Sequence, residues 1–340
     1  MRIDRLLTAG FVVLVSTAIV GFSTGNTGAS FTGTTTNPAQ ILNTQSVTPP
    51  ASFTSATSAI AGRIDLVWTA TTSAAGAHTL TYLVLRGPVG GPYAQIGTTA
   101  GLTYSDTPGV DGTYEYVVQT KIAQGSGFFT SGNSATKNTK SDRTAPTMSA
   151  TCNAGSCAGW FNTSVTFVVS GADGAGVGMG TGTTNVDSAG ATTSAAPHTV
   201  TVSGESATHS VVYSGADAVG NASGNMSQTV QIDLTNPTAP GGITAATGGS
   251  AGQLNVSGTT AGTDSLSGVA GYRVYYVAAP TTCPATPFGS SQYFAGNPPA
   301  VPLVLTGLTS NTKYCVYVAT ADNAGNLSAG SNVAGPTKAK

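Results

Sequence analysis

The sequence predicts an all-β protein, three β-sandwiches in tandem behind an N-terminal hydrophobic export segment. Three observations predict it. Charged residues make up 7% of the chain, against roughly 25% in ordinary soluble domains, while hydrophobic residues reach 40%. Thr and Val recur in short alternating runs, and their branched side chains suit a pleated, half-buried surface. The 45 Gly and 17 Pro fall mostly between those runs, where turns need them. A formal net charge of −1 with this apolar content argues against a disordered chain. The length, 340 residues, predicts two or three domains.

The N-terminus reads as an export signal. Arg2 and Arg5 precede an uncharged stretch from Leu6 to Phe22, and Thr27 and Ala29 suit cleavage after Ala29. That stretch is also at the short end of what spans a bilayer, so residues 1–29 are a signal peptide or a membrane anchor. Either way the positive flank stays inside and the rest leaves. Residues 6–22 are the expected membrane contact if the segment is not cleaved. Without Arg2, Arg5 and Asp4, the 12 basic and 13 acidic residues become 10 and 12. No basic footprint for nucleic acid results.

Residues 30–50 are polar, aperiodic and end in two prolines, which predicts a linker. SDRTAPT (141–147) and DLTNPTAP (233–240) then punctuate the chain, because Pro cannot join a central ladder. The expected domains are 51–141, 142–236 and 237–340. In the first, IDLVWTA (64–70), LTYLVLRG (80–87) and YEYVVQT (114–120) alternate as strands, with the turn-rich PVGGPYAQIGTT between the last two. The third repeats the plan with QLNVSG, GYRVYYV, VPLVLTGL and TKYCVYVATAD.

These runs carry a family resemblance. With Trp68 in its early strand and YLVLRG…GPYAQIGTT after it, the first segment resembles a fibronectin type III domain. So does the third, through LTGLTSNTKYCVYVATADNAGN, where Leu308 stands six residues before Tyr314. The resemblance implies that Tyr314 hydrogen-bonds back to the backbone and locks a corner. Tyr114 is the looser counterpart in the first segment. The middle segment, with GWFNTSVTFVVSGAD (159–173), VVYSGADAVGN (211–221) and VQIDLTNPTAP (230–240), resembles the immunoglobulin-like repeats of bacterial surface proteins. That implies a bacterial source, and core positions for Trp68 and Trp160.

Four cysteines fit an oxidising compartment, and of three connectivities the sequence-local one, Cys152 with Cys157 and Cys283 with Cys315, is the most economical. Tyr314, Val316 and Val318 share one strand face, so Cys315 points to the other and meets Cys283 on the outside of the sheet.

Two motifs repeat, DAVGN (217–221) and DNAGN (322–326). As turns, they use Asp to cap its own backbone and Gly and Asn to take positive φ. As calcium sites, they offer Asp217, Asn221, Asp322 and Asn326, with Asp142 or Asp233 at the junctions to add oxygens. One Asp and one Asn fall short of the six to eight oxygens calcium takes, so the turn is preferred, no cofactor is expected and calcium is the open alternative.

No catalytic constellation is visible. The only glutamates, Glu115 and Glu205, lie in different segments, and no Ser–His arrangement or phosphate loop occurs. Carbohydrate contact would need exposed aromatics. Phe128 and Phe129 in GSGFFTSG and Phe288, Tyr293 and Phe294 after Cys283 are the candidates, with one of each group expected to tuck into a core edge. The sequence therefore predicts an exported, non-catalytic surface or extracellular protein for adhesion or spacing. Its partner would be an extracellular protein or a polysaccharide, and a polysaccharide-binding accessory role is the alternative.

Overall fold

Branched and aromatic residues on alternate positions form strands wherever the sequence places them. A computed structural model describes residues 46–58, 60–76, 78–296 and 302–340. The export segment and most of the 30–50 linker lie outside the described residues. The end of that linker is tied down: the Thr48 amide donates to Ser73 Oγ at 2.7 Å, and Pro50 bridges Thr71.

The first eight strands are β1 (Phe53–Ser58), β2 (Ile64–Trp68), β3 (Thr79–Gly87), β4 (Ala94–Thr99), β5 (Thr103–Asp106), β6 (Gly112–Gln124), β7 (Gly127–Thr130) and β8 (Lys137–Ser141). One sheet has the order β1-β2-β5; in the other β4-β3-β6 continues into both β7 and β8, which pair with different halves of the long β6. Ile64, Leu66 and Trp68 alternate inward from β2 and meet Tyr82, Val84, Tyr116 and Val118 from the facing sheet. Trp68 is edge-on to Phe53 and Tyr82, at centroid distances of 6.4 and 5.6 Å.

The middle strands are β9 (Thr147–Cys152), β10 (Trp160–Phe161), β11 (Val165–Ala172), β12 (Met179–Val186), β13 (Ala191–Ala195), β14 (His198–Val202), β15 (Ser206–Asp217) and β16 (Met226–Ile232). Their sheets are β14-β11-β9 and β10-β16-β15-β12-β13, and β10 runs parallel to β16. Trp160 sits on that two-residue edge strand and is only half-buried, whereas a core position was expected of it. An edge strand covers one side of a side chain and leaves the other wet.

The last strands are β17 (Thr244–Thr247), β18 (Leu254–Ser257), β19 (Val269–Ala278), β20 (Ser290–Ala295), β21 (Leu303–Leu305), β22 (Lys313–Asp322) and β23 (Ala334–Lys338). The sheets β17-β18-β21 and β20-β19-β22-β23 reproduce the order of β1-β2-β5 and β4-β3-β6-β8. The all-β sandwich class is thus what the strands form. Leu308 lies in the buried core, and the Thr309 amide donates to the Tyr314 phenol oxygen at 3.1 Å. In the first sandwich the Tyr114 phenol donates to the Val110 carbonyl at 2.8 Å, so its corner is locked too. Tyr314→Phe, which removes only the oxygen, is expected to cost about 1 kcal/mol in denaturant unfolding; no loss would mean that the corner bond contributes nothing.

Both expected disulfides are present, Cys152–Cys157 and Cys283–Cys315. Cys315 does face away from Tyr314, but it is fully buried there. Phe288 and Ala279 lie over it beside Tyr317 and make a second small cluster on the outer face. By contacts, the chain divides into two units. One takes Met1–Pro146, Asp173–Gly180 and Ala216–Ala222; the other takes Thr147–Ala172, Thr181–Gly215 and Ser223–Lys340.

An ion pair gives the second unit a pH dependence. His209 Nδ1 lies 2.6 Å from Asp187 Oδ2, and Nε2 lies 3.1 Å from the Gly204 carbonyl. Burial disfavours the imidazolium, yet the bonds to Asp187 and Gly204 outweigh it and raise the His209 pKa above 6.5. Bonds from His209 and the Ser210 amide lower that of Asp187. A raised histidine contributes fully below its unfolded value and loses that contribution as pH rises through the folded value. A lowered aspartate contributes above its unfolded value and fails as pH falls through the folded one. Stabilisation by the pair is therefore greatest between about pH 4 and 6.5 and fades on the alkaline side. The Tm difference between wild type and His209→Gln is expected to be larger near ~pH 5.5 than near ~pH 8.5, and equal differences would count against the pair.

Candidate functional site

The repeated Asp-x-x-Gly-Asn motifs are turns, and each turn is also a latch. Asp217 Oδ1 accepts the amides of Val219 and Asn221, and Gly220 takes the positive φ of 95° that the turn requires. The Asn221 side-chain amide then donates to Asp217 Oδ2 at 2.6 Å and to the backbone carbonyl of Asp142 at 3.0 Å. Asp142 stands directly after β8, in the segment expected to be a junction. Asn326 repeats this at the second junction, donating to Asp322 Oδ2 at 2.8 Å and to the carbonyl of Asp233 at 2.9 Å. A single side chain thus closes its own turn and holds a junction carbonyl.

Each junction aspartate is held through its carboxylate as well. Asp142 Oδ1 accepts the Thr144 amide and Oδ2 accepts that of Val177; Asp233 Oδ1 accepts the Thr235 amide and Oδ2 that of Ser267. Asn326→Ala is expected to cost about 1–3 kcal/mol, the range for leaving buried acceptors unmet. Asn326→Asp should cost more, because it sets a carboxylate against Asp322 where a donor stood. Urea unfolding of the two variants measures the ordering, and the reverse order would mean that the latch does not act through its N–H groups.

Two further aspartates complete the sites, and neither was expected from the sequence. Asp173 joins Asp142 and Asp217, and Asp264 joins Asp233 and Asp322; in each triad one carboxylate oxygen per residue lies within 4.8 Å of the others. Asp173 Oδ2 accepts the Gly178 amide, and Asp264 Oδ2 accepts those of Leu266 and Gly268. Burial pushes the Asp173 carboxyl above the ordinary carboxylate range, the Gly178 amide opposes this, and the charges of Asp142 and Asp217 add to the rise. A signal for Asp173 was available: SGAD occurs at 170–173 as well as at 214–217. The structure therefore brings Asp217 and Asn221 together with Asp142, and Asp322 and Asn326 together with Asp233. With oxygen donors only, the triads are where a hard divalent cation would be held.

The aromatic candidates are dispersed. Phe128 and Phe129 are 59% and 52% exposed, both of them, where one was expected to tuck in. The short edge strand β7 continues the β6 hairpin past the core, so neither ring reaches it. Adjacent strand residues face opposite ways, so the two rings form no common platform. Lys121 Nζ stands 4.3 Å from the Phe128 centroid. Tyr293 is 44% exposed beneath Arg273, Phe294 packs against the core and Phe288 is buried. Glu115 is buried with its carboxylate on the Tyr93 phenol, and Glu205 accepts from Thr235 Oγ1 at 2.8 Å.

No family model matches the chain, and no curated protein matches it. Among solved structures it is similar to the FN1–FN3 domains of chicken CNTN1, at 15% identity over 84% of this chain and 97% of that one, with a TM-score of 0.38. It is also similar to domains A168–A170 of titin, at 13% identity over 83% of this chain and 95% of that one, with a TM-score of 0.39. Whole-chain likeness of this size carries no argument, and the fold stands on the strand order of its own sheets.

Proposed function

We propose that the protein is an exported, non-catalytic string of sandwiches that spaces or presents binding surfaces outside the cell, with another extracellular protein as its partner. The observation that carries this reading is the repeated latch. Both junctions are bound through carbonyl and carboxylate to neighbouring turns, which restrains segments that a Pro-containing linker would otherwise leave free. Two disulfides with no free cysteine among the described residues support an oxidising setting. Polysaccharide binding is the second reading, favoured by the exposed Phe128 with its cation at Lys121.

Depletion of the purified protein by insoluble polysaccharides and by whole cell walls tests the choice. The spacer reading expects no retention on any polysaccharide. Retention by one of them, lost in Phe128→Ala, Phe129→Ala or Tyr293→Ala, would replace it with the second reading.

A further inference from the structure

The middle sandwich brings a serine and a histidine into contact, a pairing that no sequence signature marks. Ser194 lies on β13 and His198 on β14, strands of different sheets, and Ser194 Oγ stands 2.6 Å from His198 Nδ1. The imidazole is 5% exposed, whereas Ser194 is exposed with the rest of β13. Behind the ring, Nε2 lies 3.0 Å from Thr184 Oγ1 and 3.2 Å from Thr192 Oγ1, and Thr184 is itself buried. Gly182, the partner of Ser194 across the β12–β13 ladder, leaves the room the ring needs: a Cβ there would stand 2.7 Å from His198 Cβ. The bond lengths assign the proton. Hydroxyl donors make bonds of about 2.7 Å and N–H donors bonds of about 2.9 Å or more. At 2.6 Å, Ser194 therefore donates to Nδ1, and the longer contacts are Nε2–H donating to the threonines. The other acceptor in reach of Ser194, the Ala195 carbonyl, is at 3.3 Å and is the weaker one.

We propose that Ser194 is a nucleophilic serine that accepts the acyl group of an activated ester, with His198 as its base. The arrangement has the parts such a nucleophile needs: an accessible hydroxyl, an acceptor nitrogen bonded to it, and a third group that fixes the ring. Ser194 Oγ bonds to the ester carbonyl carbon and the bond from that carbon to the leaving oxygen breaks. The serine proton passes to His198 Nδ1 and from there to the leaving oxygen. β13 is the edge of its sheet, so amides on its free side have no ladder partner and can serve the carbonyl oxygen as it becomes negative. The products are an acyl-serine on the rim of the sandwich and a free alcohol. One acylation per chain involves no turnover, so this inference goes beyond the spacer reading and does not rest on it.

Treatment of the whole purified chain with para-nitrophenyl acetate, followed by intact mass and by peptide mapping, tests it. The expected result is an acetyl group on Ser194 before any other exposed serine. His198→Gln should slow acetylation of Ser194 at least ~100-fold, the low end of what a positioned base contributes. Ser194→Ala should remove that adduct and leave the slower ones unchanged. Wild type unfolded in urea should lose the preference for Ser194, a comparison that holds even where His198→Gln does not fold. Acetylation of other exposed serines as fast as Ser194 in the folded wild type would overturn the proposal. So would an unchanged rate at Ser194 in folded His198→Gln, or a preference for Ser194 that survives in urea.

Discussion

Trp68→Ala is expected to remove about 3–5 kcal/mol from the first sandwich, enough to unfold many domains of this size. The indole is 2% exposed and meets Phe53 and Tyr82 edge-on, so truncation opens a cavity between two sheets that cannot close on it. Trp68→Phe should cost far less. The indole Nε1 is buried without a hydrogen-bond partner, so losing that N–H relieves an unfavourable group while most of the ring contact survives. The protein has two tryptophans, and in either variant Trp160 becomes the single indole reporter, in the middle sandwich. Guanidinium unfolding followed by circular dichroism and by fluorescence separates the two regions. An early circular dichroism transition with an unmoved fluorescence transition is expected for Trp68→Ala. Losses of equal size in the two Trp68 variants would show that packing around the indole is not what holds the sandwich.

The second large effect concerns the two disulfides, which should differ. The Cys283–Cys315 bridge closes a separation of 32 residues and Cys152–Cys157 one of 5. Chain entropy alone assigns about 4 kcal/mol to the longer loop and about 2 to the shorter. Packing widens the gap. Cys315 lies in the outer-face cluster with Phe288, Ala279 and Tyr317, so the long bridge also fastens the loop that covers that cluster. The double replacement Cys283→Ala with Cys315→Ala should therefore lower the Tm of the last sandwich more than Cys152→Ala with Cys157→Ala lowers that of the middle one. Differential scanning calorimetry of the two double variants gives the comparison, and a larger loss from the short loop would contradict the entropy argument.

What the sequence reveals and what it hides follow a physical line. A strand's period of two is written locally, so Trp68, the alternation of Tyr314, Val316 and Val318, and the outward turn of Cys315 can be read without coordinates. So can the corner spacing of Leu308 and Tyr314. Whether a side chain is then covered depends on what arrives from elsewhere. Cys315 and Phe288 are buried because a loop folds over an outer face, and Trp160 is half-exposed because β10 pairs only at a sheet edge. The triads fail to appear for the same reason. Asp142 and Asp173 are 31 positions apart, Asp217 lies further on, and no period links residues on separate turns. Serines show the intermediate case. Ser131 and Ser134 accept the amides of Thr120 and Val118, and Ser328 and Ser331 accept those of Thr320 and Val318. The S-x-x-S spacing is visible in both segments, but its meaning appears only beside β6 and β22.

The repetition of one strand order along the chain has a consequence during synthesis. All three sandwiches share one strand order, because β9-β11-β14 and β13-β12-β15-β16 repeat β1-β2-β5 and β4-β3-β6-β8, and the middle one adds β10 in parallel at the edge. Tandem domains fail characteristically when a newly made strand is exchanged with its equivalent in a neighbour. Here chain neighbours do offer each other equivalent strands, and the two-residue β10, paired in parallel with β16, is the edge feature that sets the middle sandwich apart.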